Sequence, residues 1–290
     1  MWCERERRAT ITSQAVRTVT LQEMKREGRK ITMLTAYDYP MALLVDRVGI
    51  DLILVGDSGG MTVLGYETTI PVTMDEMLMM TKAVTRAVKR AMVVADMPFM
   101  SYEAEPADAI RNAGRFVKEG LAHAVKVERG WPSLPCVRAI VDAGIPVMGH
   151  VGLTPQTAVL QEGLKVQGRR LDAARRILED ALALEKAGAF AIVLEAIPGM
   201  LARIITSRLT VPTIGIGAGP DCDGQVLVLH DLLGLFDRFV PRFTKQYADL
   251  AGVIRDAVSR FREEVTEGRF PDAAHTFSID RETEKALLEL

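Results

Sequence analysis

Short apolar, β-rich runs recur along the chain at residues 31–35, 52–55, 92–95, 124–127, 146–148, 191–194, 212–216 and 226–229. The segments between them carry a helical rather than a strand period. In residues 171–186, Ala174, Ile177, Leu178, Ala181, Leu182 and Leu184 share one broad face while Arg175, Arg176, Glu179 and Asp180 stay polar. Such strand and helix alternation predicts a parallel sheet, and eight strands in this length match a (β/α)8 TIM barrel of roughly 250 residues with terminal additions. A doubly wound open sheet is the structural alternative. Gly49, Gly120 and Gly144 are placed where a glycine can end a helix in the left-handed conformation and lead into the next strand.

No low-complexity linker or compositional shift divides the chain. The expected organisation is a flexible N-terminal leader over residues 1–18 and one barrel domain over 19–290, with an N-terminal helix and a C-terminal helical extension. The longest helix of that extension is expected at residues 244–264. The irregular tail from Arg269 is expected to pack over the barrel or a neighbouring subunit.

The bulk properties narrow the function. A chain of 290 residues can bury roughly 75% of its extended surface, enough for one large core. A formal net charge of -2 and a pI near 6.2, without a basic run interleaved with aromatics, argue against nucleic acid or an anionic membrane as partner. Cys3, Cys136 and Cys222 form neither a disulfide framework nor a CxxC metal motif, which fits a reducing compartment. Residues 1–24 include Glu4 and Glu6 and lack the apolar stretch of a signal peptide or membrane span, so a cytoplasmic protein handling small molecules is expected.

In a barrel, side chains at the carboxyl ends of strands line the active face. Here those ends carry Tyr37 and Asp38, Asp57 and Ser58, Asp96, Lys126 and Glu128, His150, Glu195, the glycines of Gly215-Ile-Gly-Ala-Gly219, and His230 with Asp231. Asp57 and Asp96 are the first-choice ligands for Mg²⁺, a hard cation that takes a few carboxylates and keeps its waters, with Glu128 beside them. The alternative for each acid is a helix N-cap. Lys126, two residues before Glu128, projects from the same side of its strand, to pair with an acid or to meet a substrate anion. His150 is a candidate donor to a substrate oxygen, or a structural histidine. Glu195 follows Phe190-Ala-Ile-Val-Leu and is the candidate general base, because apolar neighbours that desolvate a carboxylate make it more basic; a salt bridge in the barrel mouth is the alternative. His230 and Asp231 are read as a structural hydrogen-bonded pair. The glycine run either brings backbone N–H groups to a ligand or makes a tight turn; it lacks GxGxxG spacing, which argues against a dinucleotide.

The segments Thr35-Ala-Tyr-Asp38, Val55-Gly-Asp-Ser58, Gly65-Tyr-Glu-Thr-Thr-Ile-Pro-Val-Thr73, Asp96-Met-Pro-Phe99, Gly149-His-Val-Gly-Leu-Thr-Pro-Gln156 and Gly215-Ile-Gly-Ala-Gly219 together resemble the ketopantoate hydroxymethyltransferase family. The likeness continues through Lys165-Val-Gln-Gly-Arg169, the run from Asp223 to Asp231 and Pro241-Arg-Phe243, spanning about residues 20–277. It implies a (β/α)8 barrel that transfers a one-carbon unit from the co-substrate 5,10-methylenetetrahydrofolate to 3-methyl-2-oxobutanoate. It further implies Asp57 and Asp96 as Mg²⁺ ligands with Glu128 as an associated acid. Asp57, Ser58, Asp96, Lys126 and His150 would contact the keto acid, Glu195 would be the base, and the chain would form a homo-oligomer, a decamer by resemblance. Three positions depart from the family pattern: Gly59 stands in place of leucine, Arg129 in place of glycine and Ala196 where cysteine is common.

Two other readings remain at this level. A barrel of the isocitrate lyase and phosphonomutase type would share Mg²⁺ and an enolate, but it generally uses a cysteine in a Lys-Lys-Cys-Gly-His-type loop that this sequence lacks. A non-catalytic barrel would tolerate alanine at the acids without loss of turnover.

Overall fold

A computed structural model describes residues 14–157, 165–236 and 240–290; Cys3 and residues 1–13 of the expected leader lie outside the described residues. Strands β1 (Ile31–Thr35), β2 (Leu52–Val55), β3 (Met92–Asp96), β4 (Ala124–Glu128), β5 (Val147–Gly152), β6 (Ala191–Glu195), β7 (Thr213–Ile216) and β8 (Gly224–Leu227) form a closed barrel in sequence order. All pairs are parallel, and β8 closes on β1 with Ile31 opposite Gly224. The open-sheet alternative is thereby excluded. Two strands differ from the apolar runs by more than one residue. Strand β5 continues through Gly149 and His150 to Gly152, and β8 begins at Gly224 and the exposed Gln225; in both cases polar or glycine residues hide strand from a hydrophobic pattern.

Helices α2 (Tyr39–Val48), α4 (Met74–Ala87), α5 (Pro106–Lys118), α6 (Leu134–Asp142), α7 (Leu171–Lys186) and α8 (Gly199–Arg208) follow β1 to β6 in turn, with the single-turn α3 (Gly59–Thr62) ahead of α4. The predicted 171–186 helix coincides with α7. Gly49 and Gly144 adopt the left-handed conformation with φ of 90° and 86°, whereas after α5 it is Leu121, at φ 56°, that does so in place of Gly120. Gly120 has a different reason to be glycine: a Cβ there would lie 2.6 Å from the Phe116 carbonyl oxygen.

The period of two along each strand divides the core. Leu52, Leu54, Met92, Val94, Ala124, Met148, Ala191 and Val193 point into the barrel, while Ile53, Val55, Val93, Ala95, Val125 and Val127 pack outward under the helices. Helix α1 (Thr18–Arg26) adds Leu21 and Met24 to the interior cluster, together with Val16 just before it. The Val16 N–H donates to the Arg90 carbonyl ahead of β3, and Lys25 pairs with Asp223 ahead of β8 at 2.8 Å, so α1 sits at the amino-terminal end of the strands. The carboxyl-terminal mouth is the end left for chemistry.

The C-terminal region departs from expectation. After α9 (Leu229–Leu232), the long helix α10 spans Leu250–Thr266 rather than 244–264, because Asp249 caps it by accepting a bond from the Gly252 N–H at 3.0 Å. Residues 244–249 run instead as an extended connection tied to α9, the Tyr247 N–H donating to the Leu232 carbonyl. No residue from 250 onward is buried, α11 (Arg281–Leu288) included, so of the two expected placements of the tail the one over the chain's own barrel is not found, and a neighbouring subunit is the placement left. Ile254, Val258, Phe261 and Val265 form an exposed apolar stripe on α10.

Gly152 makes a tight junction with the mouth. It lies at φ 99° opposite Glu195, and a Cβ on it would stand 2.2 Å from the Glu195 carbonyl oxygen. Gly152→Ala is expected to destabilise the protein by about 2–4 kcal/mol through backbone strain and overpacking, measured by chemical denaturation.

Candidate active site

Because Asp96, Lys126, Glu128, His150 and Glu195 continue the inward-facing positions of their strands, closing the barrel brings them to one centre. Register fixes the neighbours: Asp96 stands beside Lys126, Glu128 beside His150, and Glu195 beside Gly152. Asp57 joins from the turn after β2. With Ser58, these residues all line one cavity of about 380 Å³. All seven side chains singled out from the sequence therefore meet in space.

The alternative reading of the acids as helix caps does not hold for three of them. Asp57 and Asp96 cap no helix, and neither does Glu128; Asp38 does, accepting from the Met41 N–H at 2.9 Å at the start of α2. Oxygens of Asp57, Asp96 and Glu128 lie within 4.8 Å of one another, and all three residues are buried. Lys126 Nζ donates to both Asp96 oxygens at 2.7 and 2.8 Å and to Glu128 Oε1 at 3.1 Å. The bland reading of Lys126 as an ion-pair partner is thus present in the fold.

Three carboxylates share one ammonium, and their proton affinities record the imbalance. Burial, then repulsion from Asp96 and Glu128, raises the Asp57 carboxyl well above the usual range. Burial also raises Asp96, against the pull of Lys126. Glu128 goes the other way: Lys126 and His150 outweigh its desolvation and hold it at about 2. Burial works against the Lys126 ammonium, but the surrounding acids prevail and raise its pKa. The centre fits a hard divalent cation, since it offers several oxygen donors at close range and a surplus of buried negative charge.

His150 links this cluster to Glu195. Its Nδ1 lies 3.2 Å from Glu128 Oε1, and its Nε2 lies 3.2 Å from Glu195 Oε2, within ion-pair range though not aligned as a hydrogen bond. Burial disfavours the imidazolium, yet Glu128, helped by Glu195, pushes the ring up to about 9. Glu195 is more exposed than the others, its side chain 17% accessible, and has this charged ring as a neighbour rather than the purely apolar surroundings expected.

Several supporting residues were missed by sequence reasoning. Gln156 donates from Nε2 to Asp57 Oδ2 at 3.0 Å and to the Met97 carbonyl, and its backbone N–H reaches Glu128 Oε2 at 3.2 Å. The buried Tyr102 hydroxyl donates to Gln156 Oε1 at 2.8 Å, fixing the amide. Gln156 ended a noticed motif but carries no charge to attract attention, and Tyr102 lies in a loop with no periodic signal. Tyr37 exchanges a 2.9 Å hydrogen bond with Ser58 Oγ, and burial pushes its own phenol up to about 12. His230 and Asp231 are not the hydrogen-bonded pair expected: the His230 ring leans on Tyr37 at 5.3 Å, and its Nδ1 has no partner among the described residues. The glycine run makes a tight turn into β8, with Gly217 at φ 62° beneath Phe243 and Gly219 at φ 81° against Gly199.

Comparison with known proteins gives a consistent picture. The sequence profile of ketopantoate hydroxymethyltransferases matches residues 15–273. The 3-methyl-2-oxobutanoate hydroxymethyltransferase of Moorella thermoacetica is 63% identical over 257 residues, 89% of this chain and 96% of that protein. That of Heliobacterium modesticaldum is 59% identical over 261 residues, 90% and 95% of the two chains. Among solved structures, a phosphoenolpyruvate phosphomutase from Streptomyces platensis subsp. rosaceus superposes with a TM-score of 0.59 at 17% identity, covering 94% of each chain. Phosphonopyruvate hydrolase in complex with oxalate and Mg²⁺ gives 0.56 at 17% identity, covering 94% of this chain and 96% of that one. These two likenesses speak to the barrel fold alone.

Removing Lys126 leaves three buried carboxylates without their ammonium. Lys126→Met is expected to destabilise the protein by about 3–5 kcal/mol in chelator-treated samples, with millimolar Mg²⁺ restoring part of the loss in a thermal melt. In metal-free protein, the His150 pKa is raised from about 6.5 in the unfolded chain to about 9 in the fold. Its stabilising contribution is therefore complete below pH 6.5 and lost as pH rises through 9, so unfolding free energy measured over that window should decline, and His150→Gln should flatten the decline.

Proposed function

The chain belongs to the ketopantoate hydroxymethyltransferase family and carries that enzymatic activity, and from this premise we propose that it moves a one-carbon unit from 5,10-methylenetetrahydrofolate to 3-methyl-2-oxobutanoate through an enolate, giving 2-dehydropantoate for pantothenate synthesis. The observation that carries the mechanism is the meeting of the acidic cluster with Lys126, His150 and Glu195 in one cavity. Asp57, Asp96 and Glu128 would hold Mg²⁺, which when bound supplies the positive charge that makes the keto acid's C3–H acidic enough to be removed.

The chain's own groups account for the rest. Lys126 and Ser58 would bind the keto acid, the ammonium facing its carboxylate and the hydroxyl being oriented by Tyr37. Glu195 takes the C3 proton, leaving the electron pair on carbon, and His150 next to it stabilises whichever side of the mouth carries more negative charge. The carbon nucleophile bonds to the methylene carbon delivered by the folate. Both carbon–nitrogen bonds from that methylene carbon to the folate break, each pair returning to its nitrogen; water supplies the hydroxyl oxygen of the product, and the proton taken from C3 together with the one released by water ends on the two nitrogens.

In this reading the protein acts in the cytoplasm; among the described residues no helix is long and apolar enough to cross a membrane. The homo-oligomer suggested by resemblance is supported by the exposed apolar stripe of α10, which another copy would cover.

With Mg²⁺ and no folate, the purified protein should exchange the C3 hydrogen of 3-methyl-2-oxobutanoate for deuterium, followed by NMR. Glu195→Gln should slow that exchange by about 10²- to 10⁴-fold while leaving Mg²⁺ binding largely intact. Absence of both exchange and folate-dependent product in the wild type would overturn the mechanism, and full exchange by the variant would move the base elsewhere.

A further inference from the structure

Three titratable groups lining the cavity, Lys165, Asp231 and Arg242, take no part in the chemistry above, and Asp231 is the acid among them. Asp231, in the short helix after β8, lines the same cavity as the acidic cluster and is only 8% exposed. The carboxylate of Asp231 has no hydrogen-bond or ion-pair partner among the described residues, and burial alone pushes it up to about 6. An acid buried without a donor lowers stability, so a donor arriving with a ligand would relieve a standing cost.

The cavity that it lines also has apolar and aromatic residues. Ile216, Val228, Phe236 and Phe243 line the cavity with it. Phe243 is held in place by the glycine turn: a Cβ on Gly217 would stand 2.5 Å from its ring. A planar ring could lie against this wall, with its polar edge toward the carboxylate.

The chemistry of the two substrates decides which one fits. The keto acid is an anion whose polar atoms are all acceptors, so Asp231 would repel it. The pterin of a reduced folate is planar and presents an N3–H and a 2-amino group side by side, two donors spaced to meet the two oxygens of one carboxylate. We propose that Asp231 and the apolar wall around it form the subsite for the pterin ring, the carboxylate accepting hydrogen bonds from N3–H and the 2-amino group; this rests on the folate reading given above.

Steady-state kinetics and calorimetry on the full-length protein test it. Asp231→Asn keeps the shape but sets an amide donor against the ring's own donors, so the KM for 5,10-methylenetetrahydrofolate and the Kd for tetrahydrofolate should rise about 10- to 100-fold. The keto-acid KM should change less than about threefold, since that substrate is held elsewhere in the cavity. A second arm uses the wild type: a tetrahydrofolate analogue with hydrogen in place of the 2-amino group should bind about 10-fold more weakly than tetrahydrofolate, whether or not the variant folds. Unchanged tetrahydrofolate affinity in Asp231→Asn, a fall in kcat alone, or a wild type that does not distinguish the analogue would overturn the pterin assignment. A wild type that exchanges the keto-acid hydrogen but makes no folate-dependent product would overturn the folate reading beneath it, a result distinguishable from the others.

Discussion

The mouth of this barrel depends on a balance of buried charge. Closing eight parallel strands forces every inward side chain at their carboxyl ends toward one axis, and here those ends bring Asp57, Asp96 and Glu128 within 4.8 Å of one another. Like charges at that range, out of water, are tolerated only with counter-charge held as firmly as they are. Lys126 provides it through contacts of 2.7 to 3.1 Å to Asp96 and Glu128. Among the described residues the Asp57 carboxylate receives only an amide from Gln156, and it is the acid whose carboxyl burial and its neighbours raise well above the usual range. The electrostatic deficit is thus located at Asp57, on the side facing the cavity.

That imbalance explains why the supporting structure around the cluster is so fully connected. Gln156 bonds at once to Asp57, the Met97 carbonyl, Tyr102 and, through its backbone, Glu128, tying together the ends of β2, β3, β4 and the segment after β5. A network with all its members satisfied holds geometry that a half-satisfied one would let relax. Backbone strain concentrates in the same region. Arg129 and Ala196, two of the departures noted from the resemblance, both adopt positive φ immediately after β4 and β6. The third departure has a packing reason: at Gly59 a Cβ would stand 2.7 Å from both the Tyr37 ring and the Met80 sulfur, so the smaller residue lets α3 approach the tyrosine that orients Ser58.

Most of this fold was legible in the sequence because each strand is a short apolar run and each covering helix keeps a clear period; all eight strands and α7 fall where the pattern puts them. The residues that converge were legible for the same reason, since an ionisable side chain one step beyond an apolar run in a barrel has nowhere to point but the mouth. What was not legible is informative. The β5 and β8 limits were blurred by glycines and polar residues inside the strands. The start of α10 was set by a single capping aspartate, and the exposure of the tail depends on where the chain finds partners rather than on its own period. Gln156 and Tyr102 act through hydrogen bonds between segments far apart in sequence, which no local pattern records. The pairing of His230 with Asp231 was suggested by adjacency, yet adjacent residues on a helical turn point in different directions.

This last difference leaves the cavity with two unlike sets of groups. In one, the acids, Lys126 and His150 answer one another, and the surplus that remains is negative, a setting suited to a cation and to the anionic substrate it can hold. Asp231 lines the same cavity, as do Ile216, Phe236 and Phe243, and among the described residues its carboxylate has no protein donor. A single carboxylate in an apolar wall selects for hydrogen-bond donors on a flat ring and against anions. On the folate reading proposed above, one cavity would take both substrates, with Glu195 on β6, the strand between β5 and β7.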